Sequence, residues 1–424
     1  MQKFIIEESP ALRGTVKIEG SKNAVLPILA ATLLTEEGCT IKNVPPLQDV
    51  FVIKELLADL GAIAIWNDKQ NVMYVQASEI SKNEANYELV SKIRASFLIM
   101  GPLLARNGYA KVSLPGGCAI GLRPIDLHLK GFAALGAEIV QEHGYVIAKT
   151  KGLRGNKIYL DFPSVGATEN IMMAAVLAEG ETIIENCAVE PEVEDLANFL
   201  VSLGANITGI GTDSLKINGV KNLQGSEYSI IPDRIEAGTF MVASAITEGD
   251  ITIENVLIHH LKPIVAKLRE VNMTVEETDK GIRVFKEKDM ILKAADIKTM
   301  PYPGFPTDMQ AQFMSLLSVA KGVSTVTETV FENRFMHVGE LKRMGADIKI
   351  DSRSAVIEGV SNLAGANVKA TDLRAGAALI LAALKAEGIT EIRDIYHIDR
   401  GYNSIDDKLR SLGAKITRVN LEKD

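Results

Sequence analysis

The chain has 424 residues, 47% hydrophobic and 24% charged, with a formal net charge of −8. That length exceeds one hydrophobic core and predicts two or three domains, while the negative charge argues against a general nucleic-acid or membrane binder. The opening residues lack a signal-peptide core, no run of about 18 apolar residues could span a bilayer, and Cys39, Cys118 and Cys187 make neither a disulfide framework nor a metal-site spacing, so a soluble protein of the reducing cytoplasm is expected.

In chain order, the first predicted element is the apolar helix SKNAVLPILAATLL, closed by Gly38. A β-rich run (CTIKNV) follows, then an amphipathic helix that leads to Leu-Gly-Ala at Gly61 and a further strand. The same order returns five times. The closing glycines are Gly38, Gly108, Gly180, Gly249, Gly322 and Gly388, spaced 66 to 73 residues apart. The Leu/Met-Gly-Ala glycines are Gly61, Gly136, Gly204, Gly345 and Gly413, with Asn272 in the place of a sixth, spaced 68 to 75. Two independent landmarks on one period identify six copies of one unit. The later strands are AKVSL, ETIIEN, DITIENV, VSTVTETV and ITEIRDI. Each first helix is apolar nearly all round, which implies burial on every side, and its terminal glycine suits a left-handed cap. The expected fold is therefore α/β and inside-out: two barrel-like domains of three units each, helices buried and sheets outside. Their joint falls near Ile230 to Pro232.

The beginnings of the buried helices carry polar residues 14 to 16 positions before the closing glycine: Lys22 and Asn23, Arg94, Ser164 to Gly166, Asp233 and Arg234, Asp308, Asp372 and Arg374. Equivalent positions in a repeat fold lie at equivalent ends, so facing domains would point these helix N-termini into one cleft. Free N–H groups and the helix dipole favour anions there. Capping alone is the competing reading for Ser21, Ser164, Thr307 and Asp233. It explains Lys22, Arg94 and Arg374 badly, because cations oppose the dipole, and an anion in the cleft would remove the conflict. Arg123, Arg334 and Arg400 lie 11 to 13 residues before Gly136, Gly345 and Gly413, and arginine suits bidentate phosphate and carboxylate binding. The second unit is longer, and its surplus, SLPGGCAIGLRPID, sets Cys118 between Gly117 and Gly121. Glycines flanking a loop cysteine suggest a mobile lid. A thiol, with a pKa of about 8.5, can donate a proton near neutrality. Cys39 and Cys187 are read as buried and inert.

The segments GSKNAVLPILAATLL, LPGGCAIGLRPIDLH, SVGATENIMMAA, PDRIEAGTF, FPTDMQAQF, ETVFENRFMHVGELKRMGA, ATDLRAGAAL and YHIDRGY closely resemble the UDP-N-acetylglucosamine enolpyruvyl transferase (1-carboxyvinyltransferase) family, essentially end to end. The resemblance implies two inside-out domains closing over the substrates, here residues 21–230 with the Cys118 lid and residues 1–20 plus 231–424. It places Lys22, Asn23, Arg123, Arg374 and Arg400 at phosphoenolpyruvate. At the nucleotide sugar it places Arg94, Arg123, Pro124, Ile125, Asp126, Leu127, Ser164, Val165, Gly166, Asp308 and Val330. Cys118 matches the family's proton donor, alkylated by fosfomycin, and Asp372 a residue used in proton transfer. One departure is Phe162, where many members have lysine. Either another cation serves the diphosphate or that contact is missing.

The implied reaction adds the sugar 3-hydroxyl to phosphoenolpyruvate and releases phosphate, the first committed step of bacterial peptidoglycan synthesis and so of cell-wall growth and division. On this reading Cys118 is the acid, Asp308 the base or hydroxyl positioner, Lys22, Arg123 and Arg400 surround the phosphate, Arg374 holds the carboxylate and Asp372 removes the later proton. The chemistry requires neither metal nor organic cofactor. The partners are the two small-molecule substrates, with no nucleic acid and no membrane, and nothing in the sequence sets an oligomeric state. The rival readings are 5-enolpyruvylshikimate-3-phosphate synthase and a non-catalytic nucleotide-sugar sensor.

Overall fold

The helix Lys22–Ala31 begins where Ser21 takes an extended backbone, and nine of its ten residues are buried. An Ala- and Leu-rich helix with no polar face cannot rest on a surface, so sheets and other helices cover it. The computed structural model describes residues 2–114 and 125–420; Cys118, Arg123 and Pro124 lie outside them. Among the described residues, the core helices Val165–Ala175, Arg234–Ile246, Gln310–Leu317 and Leu373–Lys385 follow the same rule, and Met100–Asn107 follows it over its first five residues before its last turn reaches the exposed Asn107. Two of them open differently from the sequence expectation, as 3-10 turns at Arg94–Ile99 and Thr307–Met309.

Each core helix feeds a sheet of one plan. The strand after the helix pairs parallel with a short edge strand and antiparallel with a hairpin, as in Asp250–Glu254 between Arg13–Lys17 and Gly281–Phe285. Among the described residues, five sheets have four strands and one has three. In the three-stranded sheet the parallel edge is reduced to the single bridge Glu84↔Lys111. The N-terminal strand Gln2–Glu7 completes the last sheet, pairing with Ile389–Arg393 and with Ile416–Asn420. No helix is long and apolar enough to cross a membrane among the described residues.

The chain separates into two compact units. In residues 20–114 and 125–231, one core gathers Ile28, Leu29, Phe132, Met172 and Phe199. In residues 2–19 and 232–420, the other gathers Phe4, Phe240, Phe313, Leu379 and Tyr402. There the helices Arg234–Ile246, Gln310–Leu317 and Leu373–Lys385 pack directly on one another, with the sheets outside them.

The repeat shows at single residues. Asn272 takes φ +70°, the same left-handed region as Gly345 at +90° and Gly413 at +102°, because asparagine tolerates that region better than other side chains. Strand ends repeat a second device. Asn43, Asn186 and Asn255 are all left-handed, and their side-chain amides donate to Ile230, Leu160 and Ile18 carbonyls at 2.9, 2.7 and 2.6 Å. The closing glycines divide, however. Gly108 caps its helix with φ +65°, whereas Gly388, at +89°, lies beyond an extended cap at Ala386, and at Gly249 the left-handed residue is the preceding Glu248. Gly249 is needed for space instead, since a Cβ there would lie 2.3 Å from the Leu12 carbonyl oxygen.

Candidate active site

In the unit spanning residues 20–231, Lys22 is the first residue of its core helix and is buried, with Asn23 half-buried beside it. Its Nζ lies 3.0 Å from a carboxylate oxygen of Asp49, also buried. Asp49 stands in the first turn of the helix Gln48–Asp59, where the dipole favours an acid. Arg94 opens its 3-10 turn, half-buried. Ser164 caps the helix Val165–Ala175, accepting from the Ala167 N–H at 3.3 Å. Ile125, Asp126 and Leu127 begin the helix Asp126–Ala134. Beyond them His128 lies against Gly166, whose Cα would carry a Cβ only 3.3 Å from the imidazole Cε1. The Asn170 amide nitrogen is 3.1 Å from His128 Nδ1 and 3.1 Å from the Phe97 carbonyl. An amide nitrogen only donates, so Nδ1 accepts and the ring proton sits on Nε2. Phe162 is 44% exposed. The neighbouring Asp161 holds Lys130 at 2.7 Å.

The other unit holds a denser cluster. Asp308 receives Arg334 Nη2 on one oxygen at 2.9 Å, and Arg374 Nη2 and Nε on the other at 3.1 and 3.3 Å. The two arginine side chains are only 4% and 3% exposed. Burial works against the Arg374 charge, but Tyr402, Asp308 and Asp233 together more than offset it and push its pKa up. Asp372 caps the helix Leu373–Lys385 through one oxygen, accepting from Arg374 N and Ala375 N at 2.8 and 3.0 Å. Asp233 caps its own helix in the same way. Arg400 is half-buried at the end of the short helix Tyr396–Asp399. Asp308, Arg334 and Arg374 are thus brought together; Lys22, Asn23, Arg94 and Ser164 to Gly166 belong to the first unit.

Two of the cations at helix N-termini have a counter-charge inside the protein, beside whatever anion they bind. Asp49 meets Lys22 and Asp308 meets Arg374 within the protein, since a buried charge is tolerated only with a counter-charge.

The family model described as EPSP synthase (3-phosphoshikimate 1-carboxyvinyltransferase) matches residues 6–409. The chain belongs to this family. UDP-N-acetylglucosamine 1-carboxyvinyltransferase 1 of Caldanaerobacter subterraneus subsp. tengcongensis is 61% identical over 98% of this chain and 99% of its own length. A second such protein, from Clostridium tetani, is 58% identical over 99% of this chain and 100% of its own. Among solved structures, the enolpyruvyl transferase NikO from Streptomyces tendae superposes with a TM-score of 0.90 at 25% identity, over 98% of both chains. An EPSP synthase from Acinetobacter baumannii gives 0.78 at 20% identity over 99% of this chain and 100% of its own, which shows the shared fold.

In this EPSP synthase-family chain, sequence reasoning passed over residues that hold the predicted ones within each unit. Glu328 is buried, 1% exposed. It takes four donors: Thr299 Oγ1, Val330 N and Phe331 N on one oxygen at 2.8, 2.8 and 3.1 Å, and Thr307 Oγ1 on the other at 2.9 Å. It thereby fastens the Val330 loop to the turn that carries Asp308. Asp49, Tyr402 and Gln312 were likewise missed. Asp49 alone had a sequence signal, as an acid in a predicted first turn. Cys39 and Cys187 are buried, and burial pushes both thiols up, Cys187 to about 11.

Proposed function

We propose that the chain transfers the enolpyruvyl group of phosphoenolpyruvate to the 3-hydroxyl of UDP-N-acetylglucosamine and releases phosphate, the first committed step of bacterial peptidoglycan synthesis. The observation that carries this reading is 58–61% identity, over nearly the whole of both chains, to proteins named for that activity. The EPSP synthase rival rests on the description of the matching family model and on a shared fold at 20% identity.

The chemistry runs through the chain's own side chains. Asp308 takes the proton of the sugar hydroxyl as its oxygen bonds to C2 of phosphoenolpyruvate, and Cys118 gives a proton to the C3 methylene. The resulting tetrahedral adduct loses a C3 proton, to Asp372 through the oxygen its cap leaves over. The C2–O bond to phosphate breaks and the double bond returns. Lys22, Asn23, Arg123 and Arg400 bind the phosphate, and Arg374 the carboxylate. Arg94, Arg123 to Leu127, Ser164 to Gly166 and Val330 bind the nucleotide sugar. The pairing of Lys22 with Asp49 and of Arg374 with Asp308 supports the reading, because preorganised charges stabilise a transition state without reorganising.

The test is product analysis after mixing the protein with phosphoenolpyruvate and each acceptor. Enolpyruvyl-UDP-N-acetylglucosamine with equimolar phosphate is expected. Release only with shikimate-3-phosphate would assign the sister activity. Calorimetric binding of UDP-N-acetylglucosamine with no turnover would make the chain a sensor.

A further inference from the structure

The Tyr402 hydroxyl lies where all three core helices of its unit meet. The side chain is 1% exposed. Arg374 Nη1 is 3.1 Å from its oxygen, Thr239 Oγ1 3.0 Å and Gln312 Nε2 3.3 Å. Thr239, Gln312 and Arg374 lie on Arg234–Ile246, Gln310–Leu317 and Leu373–Lys385 respectively.

The direction of each bond follows from counting protons. The Thr239 hydroxyl donates to the Ile235 carbonyl at 2.8 Å, so its oxygen can only accept from a neighbour. Tyr402 must therefore donate to Thr239. With its one proton committed, its oxygen accepts from Arg374 and Gln312, neither of which can do anything but donate through those nitrogens. The order is Arg374 to Tyr402 to Thr239 to Ile235. Burial, which pushes the phenol pKa up, keeps the proton that this order requires.

Arg374 is held from two sides. Nε and Nη2 face Asp308, and Nη1 faces Tyr402. A guanidinium is planar, so fixing the third nitrogen fixes the plane in which the other two lie. We propose that Tyr402 is a positioning residue: its hydroxyl locks the Arg374 plane and, through it, the orientation of the Asp308 carboxylate toward the sugar hydroxyl. The reaction part of this inference rests on the function proposed above; the hold on Arg374 does not.

Tyr402→Phe removes the hydroxyl and keeps the buried ring. A hydrogen bond from a charged donor corresponds to a loss of about 10- to 100-fold in kcat/KM, measured on protein shown to be folded by near-ultraviolet circular dichroism. A structural staple would lose activity in any background. A residue acting through Arg374 loses it only while Arg374 is present. In the Arg374→Gln background, Tyr402→Phe should thus cost less than about threefold further. Thr239→Ala, which takes away the acceptor of the Tyr402 proton, should weaken turnover in the same direction and be silent in the same background. The second readout is independent of turnover: the side-chain Nε–H signal of Arg374 in 15N NMR, assigned by its loss in Arg374→Lys. It should be sharp and slowly exchanging in the parent protein, and broadened in Tyr402→Phe. An unchanged signal, or equal losses in both backgrounds, overturns the proposal. A broadened signal in a protein that makes no product retains the Tyr402–Arg374 coupling and overturns the proposed reaction instead.

Discussion

Asp308 is the residue whose loss the structure prices most clearly. One carboxylate serves two guanidiniums, at 2.9 and 3.1 Å, each at most 4% exposed. At an effective dielectric constant of about 20, either contact is worth about 5 kcal/mol of gross attraction. Most of that offsets desolvation, so the net figure is smaller; removing one partner of a buried pair typically costs about 3–5 kcal/mol, because a charge is left uncompensated. Asp308→Ala should therefore destabilise its unit by about that amount and lower its unfolding midpoint by about 10 °C. Differential scanning calorimetry across a phosphate titration is the assay. Two uncovered guanidiniums form an anion site, so phosphate should raise the midpoint of Asp308→Ala more than that of the parent protein. Adding Arg334→Gln to Asp308→Ala should recover part of the lost stability, since it removes one stranded charge. A midpoint within about 2 °C of the parent, or the same phosphate response in both proteins, would refute the claim that the two arginines depend on Asp308.

Lys22→Ala should lose about 2–4 kcal/mol of transition-state stabilisation in steady-state phosphate release. Asp49→Asn, which loosens Lys22, should lower kcat/KM about tenfold, and the double variant should be no worse than Lys22→Ala; additive losses would separate the two residues. Cys118→Asp should retain turnover with its pH optimum moved down, since a carboxyl loses its proton at lower pH than a thiol, while Cys118→Ser should be nearly inactive. Fosfomycin should add one adduct at Cys118 by mass spectrometry of digests, and labelling at Cys39 or Cys187 would contradict the role given to Cys118. Burial holds His337 down to about 4, with Asp372 opposing and Arg334 adding to it. The unfolded chain then binds the extra proton between about 4 and 6.5, so stability is lost as pH falls through that window, by about 3 kcal/mol in all. Urea midpoints of His337→Gln should show a flatter acid limb. Glu236 has the opposite sign: burial pushes it up to about 7 although Lys408 opposes. Its contribution fades as pH rises from about 4.5 through 7, and Glu236→Gln should lessen that decline in the same titration.

The sixfold repeat, the buried character of the core helices and the order of helices and strands along each unit were legible in the sequence because each rests on short-range rules. An all-apolar helix must be covered, a tight turn needs a residue that tolerates positive φ, and a period of about 70 residues repeats both. Asn272 shows the strength of that reading: the one copy lacking glycine keeps the left-handed backbone, at φ +70°. Polar residues at helix starts were legible for the same reason, and Asp308, Asp372 and Arg374 do stand at the openings of their helices. Their partners were not. Asp49 is 27 residues from Lys22, Arg374 is 66 from Asp308, and Tyr402 is 163 from Thr239. Hydrophobic periodicity says which face of a helix turns inward but not which residue of another helix it meets. The sequence therefore showed cations in need of counter-charges and suggested a ligand, whereas the packed helices supply Asp49 and Asp308. Tyr402 and Glu328 stand inside the family-like segments YHIDRGY and ETVFENRFMHVGELKRMGA, but no role was legible for either, because a tyrosine beside a glycine or a glutamate in a strand-end run is ordinary until the fold brings donors from separate elements to one oxygen.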